Sequence, residues 1–220
     1  MGARLFNLAS RPYRMVFHET GGVEMSRIRL LAVIASVLVL LALALPGSGQ
    51  TKAAKSGENP VVALETTMGT IKVQMDAIKA PVTTKNFLDY VNAGFYTGTI
   101  VHRVDFVIGL GEYTEALTGK PTRPGIKNES KNGLKNLRGT LAMARYDDPK
   151  SATSQFFINL KNNSHLDPPA GGFGYAVFGR VIEGMGVVDA IAKVKTGNKG
   201  PFSNIPLQTI VVKSAKVLAK

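Results

Sequence analysis

The chain has 220 residues, no cysteine, no tryptophan and a formal net charge of +12. That length holds one ordinary domain and an extension, and the missing cysteine excludes a disulfide framework, a thiol nucleophile and a thiolate metal site. Setting the first fifty residues aside leaves 22 basic against 13 acidic residues, a charge of +9 that reads as a soluble basic surface rather than a nucleic-acid groove.

Residues 1–24 show no clean periodicity, carry Arg4, Arg11 and Arg14, and read as an N-terminal extension. A better-formed unit, residues 25–49, opens at Met25. Arg27 and Arg29 form a basic flank, and an apolar run follows from Leu30 to Leu45. The run is short of the roughly twenty residues that cross a bilayer and suits a signal-peptide core, with an uncleaved N-terminal membrane anchor as the rival. Ala42-Leu43-Ala44 fits a small-x-small cleavage pattern, with Gly47-Ser48-Gly49 as a second candidate. In either case the remainder is expected to be exported, with the positive flank in the cytoplasm. Residues 50–59 are a polar linker.

From Pro60 onward the pattern is that of a folded domain, 60–220. Val61–Glu65 and Thr70–Met75 alternate around Met68-Gly69 and read as a hairpin. Pro81 suits the first position of a helix running to about Ala93, with Phe87, Leu88 and Val91 inward and Gly94 as the stop. Two short strands follow, Thr99–Val104 and Phe106–Leu110, then a Gly/Asn/Lys loop over 125–136. Thr140–Arg145 and Gln155–Leu160 read as strands joined by a polar loop. The second carries Phe156, Phe157, Ile158 and Leu160 and so has two apolar faces, as a strand would that lines a pocket on one side. A strand at Tyr175–Ile182, a helix at Met185–Val194 with Val188, Ile191 and Ala192 inward, and a closing strand at Gln208–Lys216 complete the chain. Many short strands with two helices suggest a mainly β barrel capped at its ends, a sandwich being the alternative.

The run Ser151-Ala-Thr-Ser-Gln-Phe-Phe-Ile-Asn159 resembles the signature of the cyclophilins, the peptidyl-prolyl cis-trans isomerases. So do Asn86-Phe87, His102-Arg103-Val104, Asn128-Glu129, Arg138-Gly139-Thr140, Met143-Ala144-Arg145 and Phe173-Gly174-Tyr175-Ala-Val-Phe-Gly179, in the family's order and nearest its exported bacterial branch. The resemblance implies a closed eight-stranded antiparallel β-barrel capped by two α-helices, filled with side chains, so that ligand binds on the outer wall. It implies a monomer that acts on proline-containing polypeptides and assists the folding of exported proteins. It further implies no metal, no cofactor, no specific nucleic acid and no membrane contact beyond an N-terminal anchor. The resulting localisation is periplasmic or at the outer face of the inner membrane.

The same resemblance assigns roles. Arg103 falls on the catalytic arginine. Phe106, Val107, Phe157 and Leu166 fall on the proline slot, with Phe157 as its floor. Ala144 and Arg145 fall on the strand that meets the substrate backbone, Gln155 on a pocket-side amide, and Tyr175 where many relatives carry histidine. Two departures stand out. The run His102-Arg-Val-Asp-Phe-Val-Ile-Gly-Leu-Gly111 is two residues short and lacks the family's Pro-Gly turn, and Gly109 replaces a glutamine that supports the arginine. These imply a weakened isomerase, with a non-catalytic proline-peptide binder as the alternative. His165, where some relatives carry tryptophan, reads as a loop residue. Gly109-x-Gly111 and Gly171-Gly172-x-Gly174 lack the context of nucleotide-binding loops, and Asp147-Asp148 reads as a solvated pair.

Overall fold

The computed structural model describes residues 59–219. The N-terminal extension, the signal or anchor segment and the linker up to residue 58 lie outside the described residues. Among the described residues, no helix is long and apolar enough to cross a membrane.

The expected alternation resolves into ten strands: β1 (Val61–Thr66), β2 (Gly69–Met75), β3 (Thr99–Val104), β4 (Val107–Thr114), β5 (Thr140–Met143), β6 (Phe156–Asn159), β7 (Val177–Glu183), β8 (Thr196–Lys199), β9 (Phe202–Pro206) and β10 (Val212–Val217). Eight of them form one antiparallel sheet in the order β10-β1-β2-β7-β5-β6-β4-β3, and β8 pairs with β9 apart from it. The two edges of the sheet nearly close it into a barrel. Ile100 bridges to Val211, and Val101 N–H donates to the Ile210 carbonyl at 2.9 Å.

Side chains alternate across a strand, so each wall strand feeds two clusters. Ile108, Leu110, Leu141, Met143, Phe156, Ile158 and Phe178 point into the barrel. Val107, Ala142, Phe157 and Val177 point outward into a separate, smaller apolar cluster. Helix α1 (Pro81–Asn92) plugs the interior: Phe87 meets Tyr96, Phe156 and Phe178 at ring-centroid distances of 5.3, 5.2 and 5.3 Å. With its interior occupied by rings, the barrel offers ligand only its outside. Pro81 opens α1 where its missing N–H costs nothing, but Ala80 gives no side-chain cap. The Glu129 carboxylate serves instead, accepting from the N–H groups of Val82 (3.1 Å) and Thr83 (2.8 Å).

Helix α2 (Met185–Ala192) buries Val188 and Ile191, with Ala192 only partly covered. Several boundaries differ from the sequence reading: β5 ends at Met143 rather than Arg145, β7 begins at Val177 rather than Tyr175, α2 ends at Ala192 rather than Val194, and β10 begins at Val212 rather than Gln208. Phe106 is not the first residue of a strand: Asp105 and Phe106 make the turn, and β4 runs on to Thr114. The β8–β9 hairpin, unexpected from the turn-rich run TGNKGPFSNIP, forms around Gly200 at φ 56°. It is secured by burial of Ile205 and by Phe202 packing edge-on against Tyr113 at 4.7 Å.

Candidate active site

Five strands lay one row of cross-strand neighbours along the outer wall. Val177 pairs with Ala142, Ala142 with Phe157, Phe157 with Gly109, and Gly109 with Arg103. Neighbouring strands are about 4.8 Å apart, so the Phe157 ring and the Arg103 guanidinium stem from backbones roughly two strand spacings apart, with only a glycine between them. The row therefore passes from an apolar floor, past a position without a side chain, to a cation.

Around that floor the apolar cluster is completed by Phe106, Leu134, Ala144, Leu166 and Tyr175, packed against Val107, Ala142, Phe157 and Val177. The hollow thus brings together Phe106, Val107, Ala144, Phe157, Leu166 and Tyr175. Ala142, Val177 and Leu134 also belong to it and were not singled out in the sequence. The first two were readable from alternation alone, since they share a face with residues that were.

The walls of the hollow are held by buried amides. Asn159 donates to Thr140 Oγ1 (3.0 Å) and Asn136 Oδ1 (3.2 Å), and accepts from Asn163 Nδ2 (2.8 Å). Asn163 Nδ2 also donates to the carbonyl of Phe106 at 3.2 Å. The network ties the loop that carries Leu166 to the turn that carries Phe106. Tyr175 is fixed from two sides: its ring meets Phe157 edge-on at 5.6 Å, and the Arg145 guanidinium stacks over it at 5.2 Å. Its backbone N–H donates to the Leu166 carbonyl.

Arg145 lies just beyond β5, and its guanidinium donates to the carbonyls of Tyr146, Asp147, Phe173 and Gly174. Four of its five donors are thus spent on backbone, so the side chain fastens the 173–175 segment beside the hollow. Gln155 donates through Nε2 to Glu112 at 2.8 Å, a partner invisible in the sequence because it is 43 residues away.

Arg103 stands on the exposed side of β3. Its Cζ lies 5.3 Å from the Phe106 ring centroid, over a wall of the hollow. Nε and Nη2 each lie 2.7 Å from Asp105 Oδ2, which leaves Nη1 and one Nη2 proton uncommitted to Asp105. Next to it, the His102 ring packs edge-on against Tyr113 at 5.1 Å, and its buried Nδ1 has no partner. Burial, reinforced by the Arg103 charge, lowers the imidazole to about 4, so it is neutral at pH 7. A Cβ placed on Gly109 would come 3.2 Å from His102 Nε2 and 3.3 Å from Arg103 Cβ. Among the described residues there is no cluster of three or more His, Cys, Asp or Glu able to hold a metal.

Residues 61–217 match the family model described as cyclophilin type peptidyl-prolyl cis-trans isomerase/CLD. The chain is 47% identical over 194 residues to peptidyl-prolyl cis-trans isomerase A of Dickeya dadantii, across 87% of this chain and 98% of that protein. It is 46% identical over 162 residues to peptidyl-prolyl cis-trans isomerase B of Escherichia coli, across 71% of this chain and 99% of that one. Among solved structures, a cyclophilin type peptidyl-prolyl cis-trans isomerase of Cryptosporidium parvum superposes with a TM-score of 0.65 at 26% identity, over 74% of this chain and 99% of that one. A crystal structure of it in the presence of the dipeptide ala-pro gives a TM-score of 0.63 at 27% identity, over 73% of this chain and 99% of that one.

Proposed function

The chain belongs to the cyclophilin-type peptidyl-prolyl cis-trans isomerases, and on that premise we propose that Arg103 and the outer hollow catalyse the rotation, at a reduced rate, on exported polypeptides. The reaction needs no bond to be broken. Rotation about a peptide bond faces about 18–20 kcal/mol because the nitrogen lone pair is delocalised into the carbonyl, and before proline it takes tens to hundreds of seconds. Any group that favours the twisted state over both planar ones lowers that barrier.

In this reading the proline ring sits on Phe157, between Val107, Leu166 and Phe106, with Tyr175 closing one side. Ala144 and the start of the loop after β5 meet the flanking backbone. The uncommitted edge of Arg103 donates to the preceding carbonyl and to the proline nitrogen as it becomes pyramidal, which is electrostatic preorganisation. Glycine at 109 offers no polar side chain to the edge of the guanidinium that Asp105 leaves uncommitted, and small misplacements of that edge are costly; this is the reason for the reduced rate. The site is complete within one chain, consistent with a monomer.

The observation that carries the reading is the row from Phe157 through Gly109 to Arg103. An exchange assay on an X-Pro peptide tests it: the wild type accelerates the interconversion, and Arg103→Ala loses about 10²–10³-fold. Peptide that binds without acceleration would favour the non-catalytic binder instead. Gly109→Gln, once the His102 ring gives way by a few tenths of an ångström, is expected to raise kcat/KM about tenfold, whereas Gly109→Ala gives no gain. An unchanged rate in the glutamine variant would contradict the claim of weakened catalysis.

Export is supported by the basic flank and apolar run at residues 26–45. The Dickeya match spans 87% of this chain and so reaches into the residues before 61. The protein would then work in the periplasm or from the outer face of the inner membrane, on newly translocated chains. Cell fractionation with mass spectrometry of the mature N-terminus decides between a cleaved signal and an anchor. Recovery of the full-length chain in the cytoplasm would refute both.

A further inference from the structure

We propose that Asp105 is a positioning residue for the isomerisation, aiming the Arg103 guanidinium across the Phe106 ring toward the hollow. The inference rests on the reading that Arg103 is the donor, and it concerns what holds that donor in place.

Asp105 is itself anchored. Its backbone N–H donates to the Val107 carbonyl at 3.0 Å, and its Oδ1 accepts the Val107 N–H at 3.1 Å. The carboxylate is therefore tied to the β3–β4 turn independently of the arginine. Its second oxygen, Oδ2, then takes Nε and Nη2 of Arg103, both at 2.7 Å. The Asp105 side chain is 19% exposed and that of Arg103 47%. A loose surface ion pair has two mobile partners and holds little in place. Here one partner is fixed, so one edge of the planar fork is fixed with it.

Phe106 supplies the second constraint. Its ring lies 5.3 Å from Arg103 Cζ and belongs to the apolar cluster of the hollow. Edge and ring together limit the flexible arginine stem, and they leave the opposite edge free to donate. The two residues of the shortened turn thus do one job: the acid holds the fork and the ring steers it. The opposite effect, a carboxylate competing with the substrate carbonyl for the guanidinium, predicts that removing Asp105 speeds the reaction.

Asp105→Ala and Asp105→Asn separate these cases in the exchange assay. Asparagine can still cap Val107 with its carbonyl oxygen, but it then turns an NH₂ donor toward the guanidinium. Both variants are expected to lose about tenfold in kcat with peptide affinity within twofold of wild type, and to have no further effect in an Arg103→Ala background. If Asp105→Asn keeps the wild-type rate, Asp105 merely caps the turn and the proposal is overturned. A rate equal to or above wild type in both variants also overturns it, while a large loss in Arg103→Ala would leave the reading of Arg103 standing. A wild-type rate in Arg103→Ala would instead remove that reading itself. Should the variants fold poorly, the wild-type Arg103 Nε–H resonance decides: a sharp, exchange-protected signal is expected, and a freely averaging one contradicts the proposal.

Discussion

At the scale of single residues, the outer wall depends on what each position in the cross-strand row contributes: Val177, Ala142 and Phe157 an apolar floor, Gly109 a backbone without a side chain, Arg103 a charge. The neighbouring His102 adds a pH dependence of its own. Its imidazole is lowered from 6.5 to about 4, first by burial and then by Arg103. Above pH 6.5 folded and unfolded chains both carry it neutral, and it adds no pH dependence. Between 6.5 and about 4 the unfolded chain takes up a proton that the folded chain refuses, so stability falls as the medium is acidified. The expected loss is on the order of 3 kcal/mol. Urea titrations at pH 7 and pH 4.5 check it: His102→Gln should lose less stability between the two than wild type, and equal losses would show that the histidine is not responsible.

Phe157 and Arg103 were legible in the sequence because they sit in dense local motifs. Asp105 was not, although it is only two residues from Arg103. Nothing in a one-dimensional pattern says that the Pro-Gly turn has been replaced by an acid that folds back on the arginine. The partners of Glu112 and Glu129 were hidden for a simpler reason: they are 43 and 46 residues away.

At the scale of elements, two polar junctions stand out: one secures helix α1 and the other the outer hollow. Helix α1 lacks a local cap, and Glu129 supplies a remote one with negative charge at the positive end of the helix. Glu129→Ala should cost about 1–2 kcal/mol in thermal or urea unfolding while leaving the hollow's peptide affinity unchanged. The amide network is the second junction. Asn159→Ala strips partners from Asn136 and Asn163, and leaving such buried groups unpaired costs about 1–3 kcal/mol each. Because Asn163 also holds the Phe106 carbonyl, that variant should raise KM as well as lower stability. A stability loss with KM unchanged would show that the network does not shape the hollow. Strand alternation was readable where one face is buried and the other is not, as in β2, whereas β6 is buried on both faces and reads as a continuous apolar run. The β8–β9 hairpin was missed because Gly, Asn, Lys and Pro dominate it, and only the docking of Phe202 and Ile205 makes it a strand pair.

For the whole molecule, the division of labour follows from a filled interior. A sheet whose inner face is packed around Phe87, Tyr96, Phe156 and Phe178 can be stable without being a vessel, and it turns a second apolar cluster outward. The eight-stranded order and the two capping helices agree with what the motif resemblance implied. The sequence pattern by itself suggested a barrel and left a sandwich open as the alternative, because closure rests on one bridge and a few hydrogen bonds between the β3 edge and residues 210–212.

One NMR titration reaches the centre of this account. An isotope-labelled X-Pro peptide is added to the wild-type protein and to Arg103→Ala, and the cis-trans exchange rate and the bound-site shifts are read from the same spectra. Shifts clustered at Arg103, Phe106, Ala144, Phe157 and Tyr175 are expected, with fast exchange in wild type and similar affinity without that exchange in the variant. Shifts elsewhere on the barrel, or undiminished exchange without the guanidinium, would contradict it.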